Sequence, residues 1–130
     1  MDIIWEKMYD AAKSVQNARK ISDTIEAGEV AAAIYSTSGK IYTGICVDTA
    51  CTLGICAERN AIFNMITNGE QSFSKLLAIL PDGNNGAPCG ACRELIVQLM
   101  PNTYKDVEVL MDYESGKIVK FEELTPMWWI

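Results

Sequence analysis

Apolar residues recur at spacings of three and four over residues 2–20, at Ile4, Met8, Ala11, Ala12 and Val15. With Asp2 placed as an N-cap, this predicts an amphipathic helix. The pattern then changes. Apolar runs from Glu29 to Ser36 and from Lys40 to Val47 flank Thr37-Ser38-Gly39, which predicts a β-hairpin. Helical spacing returns from Cys56 to Asn68, at Ala57, Ala61, Ile62, Met65 and Ile66, and Asn68-Gly69 supplies a stop. Leu76 to Leu80 is a short continuous apolar run before Pro81-Asp82-Gly83, the mark of a buried strand. Cys89 to Met100 predicts another helix, ended by Pro101. Asp106 to Met111 and Lys117 to Phe121 predict two strands around Tyr113-Glu114-Ser115-Gly116. That connection is too short for a parallel crossover, so the pair is antiparallel. The order α-β-β-α-β-α-β-β predicts an α/β fold, a mixed five-stranded sheet sandwiched between helices.

The 130 residues contain no repeat, low-complexity tract or linker, so residues 1–130 are expected to form a single domain with a sizeable core. Nearly half are apolar and about a fifth charged, ordinary for a globular chain. No apolar stretch is long enough to span a bilayer, and Met1-Asp2-Ile3-Ile4-Trp5-Glu6 lacks the basic start of a secretory signal. The expectation is a cytoplasmic protein with no membrane partner. A formal charge of −6 argues against a nucleic-acid partner, which needs clustered Lys and Arg, and suits a small neutral or cationic substrate.

Five cysteines and no histidine narrow the chemistry. An odd cysteine count with a C-x-x-C pair favours metal or redox use over a disulfide framework. Without histidine, any bound metal must be held by thiolates and carboxylates. Cys89 and Cys92 open one predicted helix and Cys56 opens another, so two positive helix ends could face one ion. Three protein ligands plus a water make a catalytic zinc, and four protein ligands a structural one. Glu58, in the first turn after Cys56, is placed to take a proton from such a water and hand it to a leaving amine. Arg59 lies three residues after Cys56 on the same helix face. There it can donate to ligand sulfurs and offset the charge of three thiolates.

Other readings of the same residues stand beside this one. Cys89-Gly90-Ala91-Cys92 also fits a thioredoxin-like redox pair. A closed four-cysteine structural zinc site, recruiting Cys51 or Cys46, is a further reading. Failing that, both read as small buried or half-buried fillers. Glu58 alone could merely stabilise its helix start, and Arg59 could be an ordinary surface residue.

The chain resembles the small zinc-dependent cytidine deaminases and the related blasticidin S deaminases. The resemblance is carried by Cys56-Ala57-Glu58-Arg59-Asn60-Ala61-Ile62 and Pro88-Cys89-Gly90-Ala91-Cys92-Arg93. It extends to Val30-Ala31-Ala32-Ala33, to Ser38 through Gly44, and to Phe121-Glu122-Glu123-Leu124-Thr125-Pro126. It implies a three-layer α/β/α fold, a homotetramer, a Zn2+ cofactor and hydrolytic release of ammonia from cytidine, deoxycytidine or a related aminopyrimidine. By motif position, Cys56, Cys89 and Cys92 would be the ligands, Glu58 the proton shuttle, and Arg59 the residue that neutralises the thiolates. Substrate contacts would fall on Cys46, Asp48 and Ala57. Where the family reads G-x-N-V-E-N, with Asn and Glu on the ribose, this chain reads Gly44-Ile45-Cys46-Val47-Asp48-Thr49. Trp128 and Trp129 would lie over a neighbouring subunit's site, or else bury apolar area at the core or an interface. A blasticidin S-type antibiotic is the alternative substrate.

Overall fold

Asp2 does cap the first helix: its Oδ1 accepts the Ile4 N–H at 3.0 Å in the computed structural model, which describes residues 1–130. Helix α1 spans Ile3–Val15 and buries Trp5, Met8 and Ala12. It ends earlier than the apolar spacing predicts. The Gln16 side-chain amide leaves the helix to donate to the carbonyls of Glu29 at 2.9 Å and Leu80 at 3.0 Å. Asn17 N–H then bonds Gly28 O at 3.0 Å. Residues 19 and 20, expected in the helix, instead form a two-residue strand, β1 (Arg19–Lys20).

Strands β2 (Glu26–Ser36) and β3 (Ile41–Asp48) form the expected hairpin. Helix α2 is Ala57–Thr67, β4 is Phe73–Ile79, α3 is Gly90–Leu99, β5 is Glu108–Asp112 and β6 is Lys117–Lys120. Two 3-10 turns, Tyr104–Asp106 and Phe121–Leu124, flank the last hairpin, so Asp106 and Phe121 belong to turns and not to strands. The sheet runs β3-β2-β4-β5-β6, antiparallel except for the parallel β4–β5 pair that α3 connects. The sixth strand is β1, which pairs with Glu26 and Ala27 of β2 opposite β3. The predicted count of five missed it because two polar residues carry no alternation.

Two apolar clusters separate the layers. Trp5, Met8 and Ala12 of α1 meet Ala31, Ala33, Leu77, Ile79 and Leu110 on one face. Helices α2 and α3 cover the other face, over Ala32, Ile34, Leu76, Ala78 and Val109. A fully buried large apolar side chain contributes about 1.5–3 kcal/mol, so these faces fix the three-layer arrangement.

Two glycines position the site. Gly44 on β3 lies so close to α2 that a Cβ there would stand 2.2 Å from Ala61 N and 2.7 Å from Ala57 O. Only a glycine lets that helix settle onto the strand. Gly28 marks an irregularity in β2 where the pairing with β3 shifts between Ala27 and Ala31. Its φ of +88° and a Cβ position 2.1 Å from Asn17 O both exclude a side chain.

Candidate metal centre

Helices α2 and α3 begin side by side, and each has a cysteine at its N-cap. Cys56 caps α2 and Cys89 caps α3, yet neither side chain bonds its own helix backbone. Both thiols are therefore free to turn toward each other. Cys56 Sγ and Cys89 Sγ lie 3.4 Å apart, and Cys89 Sγ and Cys92 Sγ 3.5 Å apart. All three sulfurs fall within 4.8 Å of one another. A tetrahedral zinc with Zn–S of about 2.3 Å sets its sulfurs about 3.8 Å apart, so this donor set fits zinc with little movement.

The remaining cysteines do not join. Cys46 is buried, and its Sγ accepts the Val30 N–H at 3.3 Å, a group that the β2 irregularity leaves without a strand partner. Cys51 is exposed, with φ of 63°, which corrects the expectation that it is a filler. The loop turns outward there instead of burying its thiol. A closed four-cysteine site is accordingly not assembled.

The surroundings act on the cluster in opposite directions, with Arg59 and Cys89 drawn toward charge and Cys92 and Glu58 toward their neutral forms. Arg59 Nη2 lies 3.5 Å from Cys56 Sγ, while Arg59 Nε is buried without a partner. The guanidinium's charge is favoured first by Cys56, opposed by burial, and favoured again by Cys92. Cys92 is fully buried, and its thiol is pushed far up, first by burial and then by the Glu58 charge beside it. Burial also works against the Cys89 thiolate, but the Cys92 and Ala91 backbone N–H groups and the two neighbouring thiols hold Cys89 below the ordinary thiol value. Glu58 is buried at 7% exposure, and burial raises its carboxyl above the usual range, against a backbone N–H and Arg59. A carboxyl with a raised pKa next to a metal cluster can hold and release a proton.

A cavity of about 330 Å³ opens beside Cys56 and Arg59, lined also by Cys46, Asp48, Thr49 and Cys51. Of the expected substrate residues, Asp48 is exposed at its rim and Cys46 forms part of its wall. Ala57 is buried against Gly44 and does not line it. Trp128 and Trp129 lie elsewhere: both indole N–H groups donate to Glu94 Oε1 on α3, at 3.2 and 2.7 Å. Sequence reasoning overlooked Thr49, whose hydroxyl is buried and unpartnered at this cavity. It also overlooked Arg93, whose only signal was its place directly after Cys92. A larger cavity of about 690 Å³ runs along the β3 edge, lined by Arg19, Asn60, Phe63 and Asn64, away from the cysteines.

Residues 5–107 match the family described as the cytidine and deoxycytidylate deaminase zinc-binding region. A blasticidin-S deaminase of Bacillus cereus is 30% identical over 109 residues, covering 75% of this chain and 74% of that protein. A cytidine deaminase of Sporosarcina psychrophila is 36% identical over 70 residues, and that match spans about half of each protein, 53% and 52%. Among solved structures, the cytidine deaminase of Burkholderia pseudomallei is 26% identical with a TM-score of 0.74, covering 95% of this chain and 98% of that one. The cytidine deaminase of Mycobacterium tuberculosis shares the fold at a TM-score of 0.77, with 21% identity and 99% of each chain covered.

Proposed function

The chain belongs to the cytidine and deoxycytidylate deaminase zinc-binding family, and from that premise we propose that it hydrolytically removes the exocyclic amine of an aminopyrimidine nucleoside or base. The observation that carries this reading is the convergence of Cys56, Cys89 and Cys92 at two helix starts with the buried carboxyl of Glu58 beside them. Zinc held by these thiolates supplies Lewis acidity and an activated water. Glu58 moves the protons, taking one from the water and delivering it to the amine that departs as ammonia. Its burial raises the carboxyl's proton affinity, which favours its taking up a proton. Arg59 offsets the thiolate charge through Cys56 and keeps the cluster from opposing water activation.

Cytidine or deoxycytidine leads as substrate; the names of the relatives support cytidine. A blasticidin S-type antibiotic is the second reading. It is favoured by the Bacillus cereus relative and by Cys46, which is occupied by Val30 N–H and offers the cavity no amide. The proposal extends to a homotetramer in the cytoplasm serving pyrimidine salvage. Exposed Leu53, Phe63, Ile66 and Trp129 supply apolar surface for subunit contacts. No helix is long and apolar enough to cross a membrane.

The test is ammonia release by zinc-loaded protein on cytidine, deoxycytidine, cytosine, isocytosine and blasticidin S, with Glu58→Gln alongside. Release from one of these, lost in Glu58→Gln while zinc is retained, is the expected result. Equal release by Glu58→Gln would refute the proton-shuttle role.

A further inference from the structure

Helix α3 carries two of the three thiols, and between buried Pro88 and buried Cys92 its first residues lie exposed. The helix buries Cys92, Ile96 and Val97, whereas Cys89, Gly90 and Ala91 are exposed. Arg93 bridges that exposed stretch to the rest of the fold. Its Nε donates to Pro88 O at 2.8 Å, folding back across the start of its own helix onto the carbonyl that precedes Cys89. Its Nη1 donates at 2.8 Å to Leu124 O, at the end of the second 3-10 turn. That turn is rooted in the core by Phe121, which is fully buried and edge-on to Tyr104.

The rest of the C-terminus is laid along the same helix. Glu94, next to Arg93, accepts from both Trp128 and Trp129, and Trp128 also packs on the core. Tyr104 OH donates to Ile130 O at 3.0 Å, tying down the last residue. Two consecutive α3 residues thus bind a segment more than thirty positions away, directly after Cys92.

From these contacts we infer that the C-terminal segment, residues 121–130, is a strap that sets the position of the Cys89–Cys92 half of the metal centre. Arg93 is its positioning residue. The planar guanidinium reaches two carbonyls in different directions at once, which fixes the Pro88–Cys89 peptide against a core-rooted turn. A lysine ammonium is a single point on a flexible stem and cannot span both. The two indoles then hold the following turn of α3 through Glu94. This inference rests on the zinc reading above.

The experiment loads the full chain with zinc and follows metal release to a chromophoric chelator. In parallel, Co2+ replaces zinc and the thiolate-to-cobalt absorption is recorded. The proteins are wild type, Arg93→Lys, and the pair Trp128→Phe with Trp129→Phe, which removes both N–H donors and keeps most of the apolar area. Arg93→Lys is expected to release zinc about tenfold faster or more, the size of effect typical when a residue supporting a metal ligand is changed. The Trp→Phe pair is expected to release it several-fold faster. Both should shift the cobalt band and release zinc faster than any fall in the melting temperature of the metal-free protein accounts for. If Arg93→Lys does not fold, the Trp→Phe pair decides by the same readouts.

Wild-type release rates and an unmoved band in the folded variants would overturn the strap. So would release rates that follow only a drop in melting temperature. Wild-type protein with no thiolate band would overturn the zinc reading itself, and the strap with it. A wild-type band with unaltered variants would overturn the strap alone.

Discussion

Gly44→Ala places one methyl group where α2 lies on β3, outside both cysteine motifs. The added Cβ would stand 2.2 Å from Ala61 N, and ordinary contact begins at 3.4 Å, so the helix must retreat by about 1.2 Å. The obstacle is backbone and cannot rotate away. The Ala57 carbonyl blocks a second direction at 2.7 Å. Overpacking costs about 1–3 kcal/mol, and an immovable neighbour puts this case at about 3 kcal/mol, or roughly 10 °C in melting temperature. The same helix begins with Cys56 and carries Glu58, and a misplacement of about 1 Å can cost about a hundredfold in rate. Gly90→Ala is the control. It changes a residue inside the Cys89–Cys92 motif, but its Cβ position meets nothing within 4 Å. Stability there should hold or rise by up to about 1 kcal/mol. Thermal melts and ammonia release on both variants check the pair. A Gly44→Ala protein that melts within about 2 °C of wild type at full activity would refute the argument.

Cys46→Ala strands the Val30 N–H at the β2 irregularity and should cost about 1–3 kcal/mol in urea denaturation, while Cys46→Ser, which keeps an acceptor, should lose less. Gln16→Leu removes the donor shared by the carbonyls of Glu29 and Leu80; because Leu80 O still accepts the Gly83 N–H and Glu29 is exposed, the loss should be smaller, about 0.5–1.5 kcal/mol. Glu70 is held below its ordinary value of 4.5, first by Ser38 and then by Tyr42. A depressed folded pKa stabilises above the unfolded value, and that stability fades as pH falls through the folded one. Glu70→Gln should therefore be less stable at pH 7, with the gap to wild type closing in acid. A gap that stays constant with pH would count against the network.

Local chemistry was legible in the sequence because it is written locally. The thiol spacing, the carboxylate two residues after Cys56, the Asp2 cap and most strand positions follow from neighbours along the chain. What was not legible depends on distant partners. The apolar spacing of α1 gives no notice that Gln16 will find acceptors on β2 and near the end of β4, so the helix reads too long and β1 is missed. Cys46 reads as a replaced substrate residue or a filler; only the shift in β2 pairing reveals an N–H for it to satisfy. Arg93 sits in the motif itself, yet its acceptor at Leu124 lies 31 residues away. The exposure of Cys51 was equally hidden, because it comes from a left-handed turn in a loop.

Cys56, Cys89 and Cys92 are placed to hold a zinc by three sulfurs with one position left for water. X-ray absorption at the zinc edge of the loaded protein measures this directly. Three sulfurs at about 2.3 Å and one oxygen at about 2.0 Å are expected. Four sulfurs would contradict it, as would a protein that takes up no zinc and instead cycles a Cys89–Cys92 disulfide.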